Sequence, residues 1–339
     1  MIISFDRVAN YAVVIVGARE SDFHCMSKIL ITTSSFGAKD AAARNLLSSA
    51  GYEIIGNPFS RTLTEEEVTK LLGHEKPIGM IAGVEPLTAS ALEDAAAHLK
   101  VISRCGAGLD NVDIAAAKKL GIAVLNTPAA PAEAVAELTV ALIFSLIRNI
   151  GQNDHVVRAG FWSKKMGLLL SEITVGIIGL GRVGKRVASV IQPFGTKVLG
   201  CETVPDYEWI ASHGVSLVTA PELLGGSDIV SLHLPYATGE LHHFINADRL
   251  KAMKQGSYLI NTSRGALVDE NALCASLREE HLAGAAIDVF EHEPYHGPLT
   301  KFTNVILSPH VGSYARATRN RMELEAAQNL MAGLGRSPA

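Results

Sequence analysis

The chain has 339 residues, enough for about two domains at roughly 150 residues each. Its apolar fraction of 48% and charged fraction of 19% suit a folded globular protein and exclude a disordered one. Lys+Arg 30 against Asp+Glu 34 leaves a net charge of -4, which argues against nucleic acid as a partner; the longest apolar runs fall short of the ~18–20 residues that span a bilayer, which argues against a membrane protein.

Residues 1–26 read as an N-terminal extension outside the fold. Tyr11 to Ala18 is apolar, but too short and too poorly followed for a signal peptide, and Met26 followed at once by a strand looks like a natural beginning. Cys25, Cys105, Cys201 and Cys274 form no C-x-x-C pair, so a reducing, cytoplasmic setting is expected.

From residue 28 onward, short apolar strands alternate with helical stretches. Strands are expected at 28–33, 52–55, 79–82, 99–104 and 123–126, with helices at 38–50, 64–72, 89–98 and 112–120. Such alternation implies a parallel sheet with helices on both faces. The sequence Asn126-Thr-Pro-Ala-Ala-Pro131 then marks a hinge. One helix is expected over 131–149, apolar nearly all round from Val140 to Ile147, and therefore either buried or at a subunit contact. A second alternation follows, with strands at 174–178, 197–201, 229–233, 257–261, 283–289 and 304–307 and a last helix at 315–334.

The expected fold is α/β: two doubly wound parallel-sheet domains, flavodoxin-like and Rossmann-like, with a cleft between them. The substrate domain is expected to be discontinuous, 27–127 and 309–339, around a cofactor domain at 128–308. A homodimer is expected through the 131–149 helix.

The first strand of the second alternation runs into Gly179-Leu-Gly181-Arg-Val-Gly184, with helix-like residues following. In this pattern Gly179 makes the tight turn, Gly181 lets backbone approach a pyrophosphate, and Gly184 lets helix and strand pack closely. Glu202 ends the next strand, where a carboxylate can accept from a ribose hydroxyl and repels a 2′-phosphate. The cofactor expected is NAD.

Several further motifs resemble those of the D-2-hydroxyacid dehydrogenase family, over residues 28 to about 335. They are Val101-Ile-Ser-Arg-Cys-Gly-Ala-Gly-Leu-Asp-Asn-Val-Asp113, Leu232-His-Leu-Pro235, Ile260-Asn-Thr-Ser-Arg-Gly-Ala-Leu-Val-Asp269, Asp288-Val-Phe-Glu-His-Glu-Pro294 and Ser308-Pro-His-Val-Gly312. The resemblance implies a catalytic trio of Arg264, Glu293 and His310. The chemistry agrees. Hydride transfer to a ketone leaves a developing oxyanion that needs a proton, and an imidazole titrates near neutrality. A carboxylate beside it favours the imidazolium and fixes the ring. A guanidinium offers a planar fork to a carboxylate. Taken singly, such an arginine is often a surface ion pair and such a histidine a packing group; in matched motifs they read as a site.

The same matching places Arg182 and Val183 against the pyrophosphate and Leu234, Thr262, Ser263, Asp288 and Gly312 around the nicotinamide and ribose. Arg104, Ala107 and Gly108 are implied in substrate binding, with Gly106 and Gly108 permitting a turn whose N–H groups hold a carboxylate. No metal is expected. His292 and His296 are spaced for one, but Pro294 disfavours a helix between them, and His242-His243 reads as a solvated turn. Cys105 reads as simple packing.

The whole-chain pattern resembles short phosphoglycerate dehydrogenases without a C-terminal regulatory domain, which points first to 3-phosphoglycerate and serine biosynthesis. One departure stands against this. Ala82-Gly-Val-Glu-Pro-Leu87 replaces a stretch in which relatives carry an arginine and a lysine, and a phosphate wants cations. Hydroxypyruvate, glyoxylate or another 2-keto acid is the alternative. A phosphonate- or phosphite-oxidising relative would keep the same machinery. A reading of another class is a non-catalytic NAD-sensing scaffold, since corepressors share this fold.

Overall fold

The computed structural model describes residues 27–235, 239 and 241–336; the expected N-terminal extension lies outside the described residues. In chain order the elements are β1 (Lys28–Ile31), α1 (Ala42–Ser49), β2 (Glu53–Gly56), α2 (Glu65–Glu75), β3 (Gly79–Ala82), α3 (Ala89–Ala95), β4 (Val101–Arg104), α4 (Ile114–Lys119), β5 (Ala123–Asn126), α5 (Ala132–Ile147), α6 (Ile150–Arg158), β6 (Thr174–Ile178), α7 (Arg182–Ile191), β7 (Lys197–Cys201), α8 (Tyr207–Ser212), β8 (Ser216–Leu217), α9 (Ala220–Gly226), β9 (Ile229–Leu232), α10 (Ala247–Ala252), β10 (Ser257–Asn261), α11 (Glu270–Arg278), β11 (Leu282–Ile287), β12 (Val305–Leu307) and α12 (Arg316–Gly333).

Two parallel sheets result. The first has the order β2-β1-β3-β4-β5, the second β12-β11-β10-β9-β6-β7-β8. Their central strands are apolar on both faces because helices cover both sides: all four residues of β3 and of β9 are buried. Polar side chains start several helices. Thr64 and Thr219 form capping boxes, and Asp269 accepts the N–H groups of Asn271 and Ala272.

The chain crosses between the sheets twice. After β5 it enters α5, whose Leu142, Ile143, Leu146 and Ile147 pack into the core under the seven-stranded sheet. After β12 it returns through α12, whose Met322, Ala326 and Leu330 pack with Ile29, Ile31 and Val101 of the five-stranded sheet.

Two departures from the sequence reading lie beyond β5. The helix expected over 131–149 stops at Ile147; Asn149 takes left-handed backbone at φ 52°, and the chain restarts as α6, bent by 61°. Asparagine tolerates that conformation better than most residues. The apolar stretch of α5 is spent on its own core. The exposed apolar side chains come later, at Ile150, Val157, Phe161, Trp162, Met166, Leu168 and Leu169. The second departure is β8, a two-residue edge strand too short to read by alternation. Among the described residues no single helix is long and apolar enough to cross a membrane.

Each sheet has a switch point where its strand order reverses, and ligands of open α/β sheets bind beyond the strand ends there. In the first sheet it falls between β1 and β3, in the second between β6 and β9.

Candidate active site

At the second switch point, β6 ends in the glycine turn. Gly179 adopts φ +96°, and a Cβ there would lie 2.5 Å from the His233 carbonyl oxygen. A Cβ on Gly184 would lie 2.0 Å from the Gly179 carbonyl oxygen, so α7 docks on the turn only through glycine. Gly181 is different, because a Cβ there would meet nothing within 4 Å. Its missing side chain opens free space beside the first turn of α7, where N–H groups and the helix dipole favour an anion. Arg182, exposed, and Val183, half-buried, follow directly. These residues fit the pyrophosphate of NAD.

Glu202 ends β7 beside this turn. Its Oε2 accepts the Leu180 N–H at 2.8 Å, and its Oε1 accepts from the N–H groups of Thr203 and Val204. Partial burial pushes this carboxyl up, but the N–H donors outweigh it and hold it below the usual range. Oε2 keeps a lone pair for a ribose hydroxyl.

The ends of β9 and β10 are stitched together. The Ser263 hydroxyl donates to the Leu234 carbonyl in a short hydrogen bond, and the Thr262 and Thr139 hydroxyls pair at 2.9 Å, tying β10 to α5. Burial pushes His233 down to about 4, so it is a neutral packing group, paired with Ser231 at 2.9 Å.

Asp288, expected around the nicotinamide, is fully buried, and its carboxylate oxygens also organise the loop after β12. Oδ1 accepts from the Ser308 hydroxyl at 2.6 Å and the Val311 N–H at 2.9 Å; Oδ2 accepts the Gly312 N–H at 2.8 Å. The Asp288 carbonyl accepts the His310 N–H at 2.8 Å. Asp288 therefore builds the histidine loop, and Gly312 is part of that scaffold. His310 itself sits at φ 53°, a conformation that costs about 1–3 kcal/mol and recurs at functional sites.

Three of the expected residues converge. His310 Nδ1 lies 2.8 Å from Glu293 Oε2, and Glu293 Oε1 accepts the Phe290 N–H at 3.1 Å. Partial burial raises the Glu293 carboxyl, but the His310 hydrogen bond and charge, the Phe290 N–H and the Arg264 charge together bring it below its ordinary value. The loops after β10 and β11 meet at Gly265, where a Cβ would sit 1.9 Å from the Phe290 carbonyl carbon; only glycine lets Arg264 come this close to the glutamate turn.

Arg264 reaches across to the first sheet. Its Nε donates to Asp110 Oδ2 at 2.7 Å, its Nη1 donates to the Ser263 carbonyl at 2.7 Å, and its Nη2 lies where a Gly108 side chain would begin. Asn261 holds the Arg264 carbonyl at 2.8 Å, and Asn126 holds the Ala107 carbonyl at 2.7 Å. Sequence reasoning missed Asp110, Asn126, Asn261 and Gly265. All lie in or beside the quoted motifs; Asn261 meets its partner three residues on, but the partners of Asp110, Asn126 and Gly265 lie in other segments of the chain.

Arg104 does not point outward. Its guanidinium folds over Gly106, with Nη1 donating to the Cys105 carbonyl at 2.6 Å and Nε buried without a protein partner. Glu85, the residue of the departing stretch, is buried at the first switch point. It accepts from the Thr32 hydroxyl in a short hydrogen bond and from the Gly83 N–H at 3.0 Å. Burial pushes its carboxyl up, against the pull of the Thr32 and Gly83 donors and the Arg104 charge. The Cys105 thiol is pushed up to about 11 by burial and is a packing group.

Residues 140–312 match the family model described as D-isomer specific 2-hydroxyacid dehydrogenase, NAD binding domain. The chain is 44% identical to a glyoxylate reductase of Thermofilum pendens over 71% of this chain and 74% of that protein. It is 34% identical to a human D-3-phosphoglycerate dehydrogenase over 90% of this chain but 56% of that protein. The crystal structure of the TT0316 protein from Thermus thermophilus superposes with a TM-score of 0.81 at 36% identity, covering 92% of this chain and 98% of that one.

Proposed function

The chain belongs to the D-isomer specific 2-hydroxyacid dehydrogenase family, and from that membership we propose an NAD-dependent dehydrogenase that interconverts a small, unphosphorylated 2-keto acid and its D-2-hydroxy acid, with glyoxylate or hydroxypyruvate as the keto acid. The observation that carries this reading is the His310–Glu293 pair with the Arg264 charge acting on it, Arg264 itself lying against the Gly108 backbone.

When bound, NADH supplies a hydride to the keto carbon. The keto acid's carboxylate lies on Nη2 of Arg264 and the N–H groups of Ala107 and Gly108, because Asp110 already takes Nε and the Ser263 carbonyl takes Nη1. Glu293 holds Nδ1 of His310, so the proton delivered to the carbonyl oxygen comes from Nε2. In the oxidation direction Nε2 takes that proton from the hydroxyl. Solvent restores the imidazole to its starting state.

The substrate class rests on Glu85 and on the balance of relatives. A phosphate ester needs cations, whereas the switch point beside β1 holds a buried carboxyl and the nearby Arg104 turns back onto its own loop. The similarity to D-3-phosphoglycerate dehydrogenase over 90% of the chain keeps the phosphorylated acid as the second reading. Steady-state NADH oxidation with glyoxylate, hydroxypyruvate, 3-phosphohydroxypyruvate and pyruvate decides between them. The expected result is a higher kcat/KM for an unphosphorylated acid. Preference for the phosphorylated acid would reinstate a place in serine biosynthesis, and no turnover with any of them would favour the NAD-sensing scaffold.

We further propose a homodimer, with its contact centred on 150–169 rather than on α5. Phe161 is 69%, Trp162 83% and Met166 93% exposed, a concentration of apolar surface that a monomer rarely leaves open. Light scattering at micromolar concentration should give twice the chain mass, and Trp162→Glu should halve it. A monomeric wild-type protein overturns the proposal.

A further inference from the structure

The sequence reads His242-His243 as a solvated turn, yet both rings face a carboxylate 48 residues further on. His243 Nε2 lies 2.5 Å from Glu291 Oε1, and His242 Nε2 lies 4.0 Å from the same oxygen. The two rings stack with centroids 4.0 Å apart. One ligand atom from each of the three residues lies within 4.8 Å of the other two.

Adjacent side chains normally diverge. Here His243 takes left-handed backbone at φ 50°, with its N–H held by the Ala266 carbonyl at 2.8 Å. That turns its ring onto the oxygen His242 already faces. A simple histidine–carboxylate hydrogen bond accounts for His243 alone. It leaves unexplained why His242, with no side-chain hydrogen bond among the described residues, aims its Nε2 at the same point.

We propose that His242, His243 and Glu291 form a binding site for a divalent transition-metal ion of the zinc or cobalt type. Two imidazoles and one carboxylate are a donor set such ions favour, and the half-exposed position leaves room for water to complete the coordination. The surroundings fit. Asp269 Oδ2 faces the other nitrogen of His243, Nδ1, at 4.0 Å, near enough for a bridging water to orient that ring. The Glu291 N–H is fixed by Glu270 Oε1 at 3.0 Å, so the carboxylate starts from an anchored backbone. The required movement is small. The 2.5 Å gap must open and the 4.0 Å gap close until both nitrogens and the oxygen lie about 2.0–2.2 Å from one ion. An ion there ties the turn carrying the histidines to the turn that carries Glu293.

Cobalt is the probe, added to the tag-free full chain after chelator treatment. The expected result is saturable binding of one equivalent of Co²⁺, with visible d–d bands and no thiolate charge-transfer band. His242→Ala and Glu291→Gln should each weaken binding by at least about tenfold, the smallest loss seen even for partners outside the ligand shell, while His296→Ala leaves it unchanged. His242 is half exposed, so its variant tests the site even if Glu291→Gln fails to fold. Absence of saturable binding up to millimolar Co²⁺ overturns the proposal. So does affinity that survives both variants, or a thiolate band, which would place the ion on a cysteine.

Discussion

Replacing His310 with alanine is expected to lower kcat/KM for keto-acid reduction by about 10²–10⁴-fold, the range typical of a lost general acid, while leaving the Kd for NADH within a factor of about two. Most of the loss belongs in kcat, because the proton moves only as the carbonyl oxygen gains charge. The geometry isolates the effect. His310 is held through its backbone by Asp288, and its ring hydrogen-bonds only Glu293 among the described residues. Truncating the ring therefore leaves the loop's hydrogen bonds in place. A variant that retains more than a third of wild-type kcat would sink the assignment of His310 as the acid.

The same pair sets the sign of the pH dependence. Glu293 is held below the ordinary carboxylate range, so it stays ionised from weakly acid to alkaline pH and adds no limb of its own there. Reduction needs a proton on the imidazole and oxidation a neutral imidazole, so rising pH disfavours reduction and favours oxidation. Glu293→Gln keeps the shape of the side chain but withdraws its charge, so it should lower kcat for reduction and leave NADH affinity unchanged. An unchanged kcat in Glu293→Gln would show that the carboxylate serves only to orient the ring.

The legible parts of this protein are those that repeat locally. Period and punctuation place nearly every strand of both sheets, because each strand buries its own short apolar run. The glycine turn at 179–184 is legible for the same reason, since its three glycines act on backbone a few residues away. What sequence hides is set by contacts between distant segments. Asp110 and Arg264 are 154 residues apart, and nothing local in either motif marks them as partners. Asp288 shows a subtler limit. Its motif places it near the cofactor, and nothing local announces that its oxygens also hold the histidine loop 20 residues on. Glu85 is the opposite case. It is visible at once as a departure, yet its burial at the switch point needs the neighbouring strand. The break after α5 rests on one asparagine, whose left-handed backbone no periodicity can announce.

Arg264→Ala is the second large effect. Two charge-assisted hydrogen bonds to the substrate's carboxylate, each worth about 1.5–3 kcal/mol, correspond to roughly 10²–10⁴-fold in kcat/KM. The loss should fall on KM first, since the carboxylate is bound in ground and transition states alike, with a further drop in kcat from the misplaced carbonyl. Arg264→Lys should recover little, because an ammonium cannot hold Asp110 through one edge and a carboxylate through the other. Asp110→Asn tests the division of labour. It keeps the shape but removes the charge that fixes the Nε edge, so it should raise KM by about tenfold, equivalent to ~1.4 kcal/mol, with kcat less affected and NADH affinity unchanged. If Asp110→Asn instead leaves KM alone while Arg264→Ala abolishes turnover, the arginine finds its geometry from Ser263 and Gly265 without help from the first sheet. If both variants turn over normally, the substrate's carboxylate is held elsewhere, and Arg104, close enough to feel the Arg264 charge, is the next guanidinium to test.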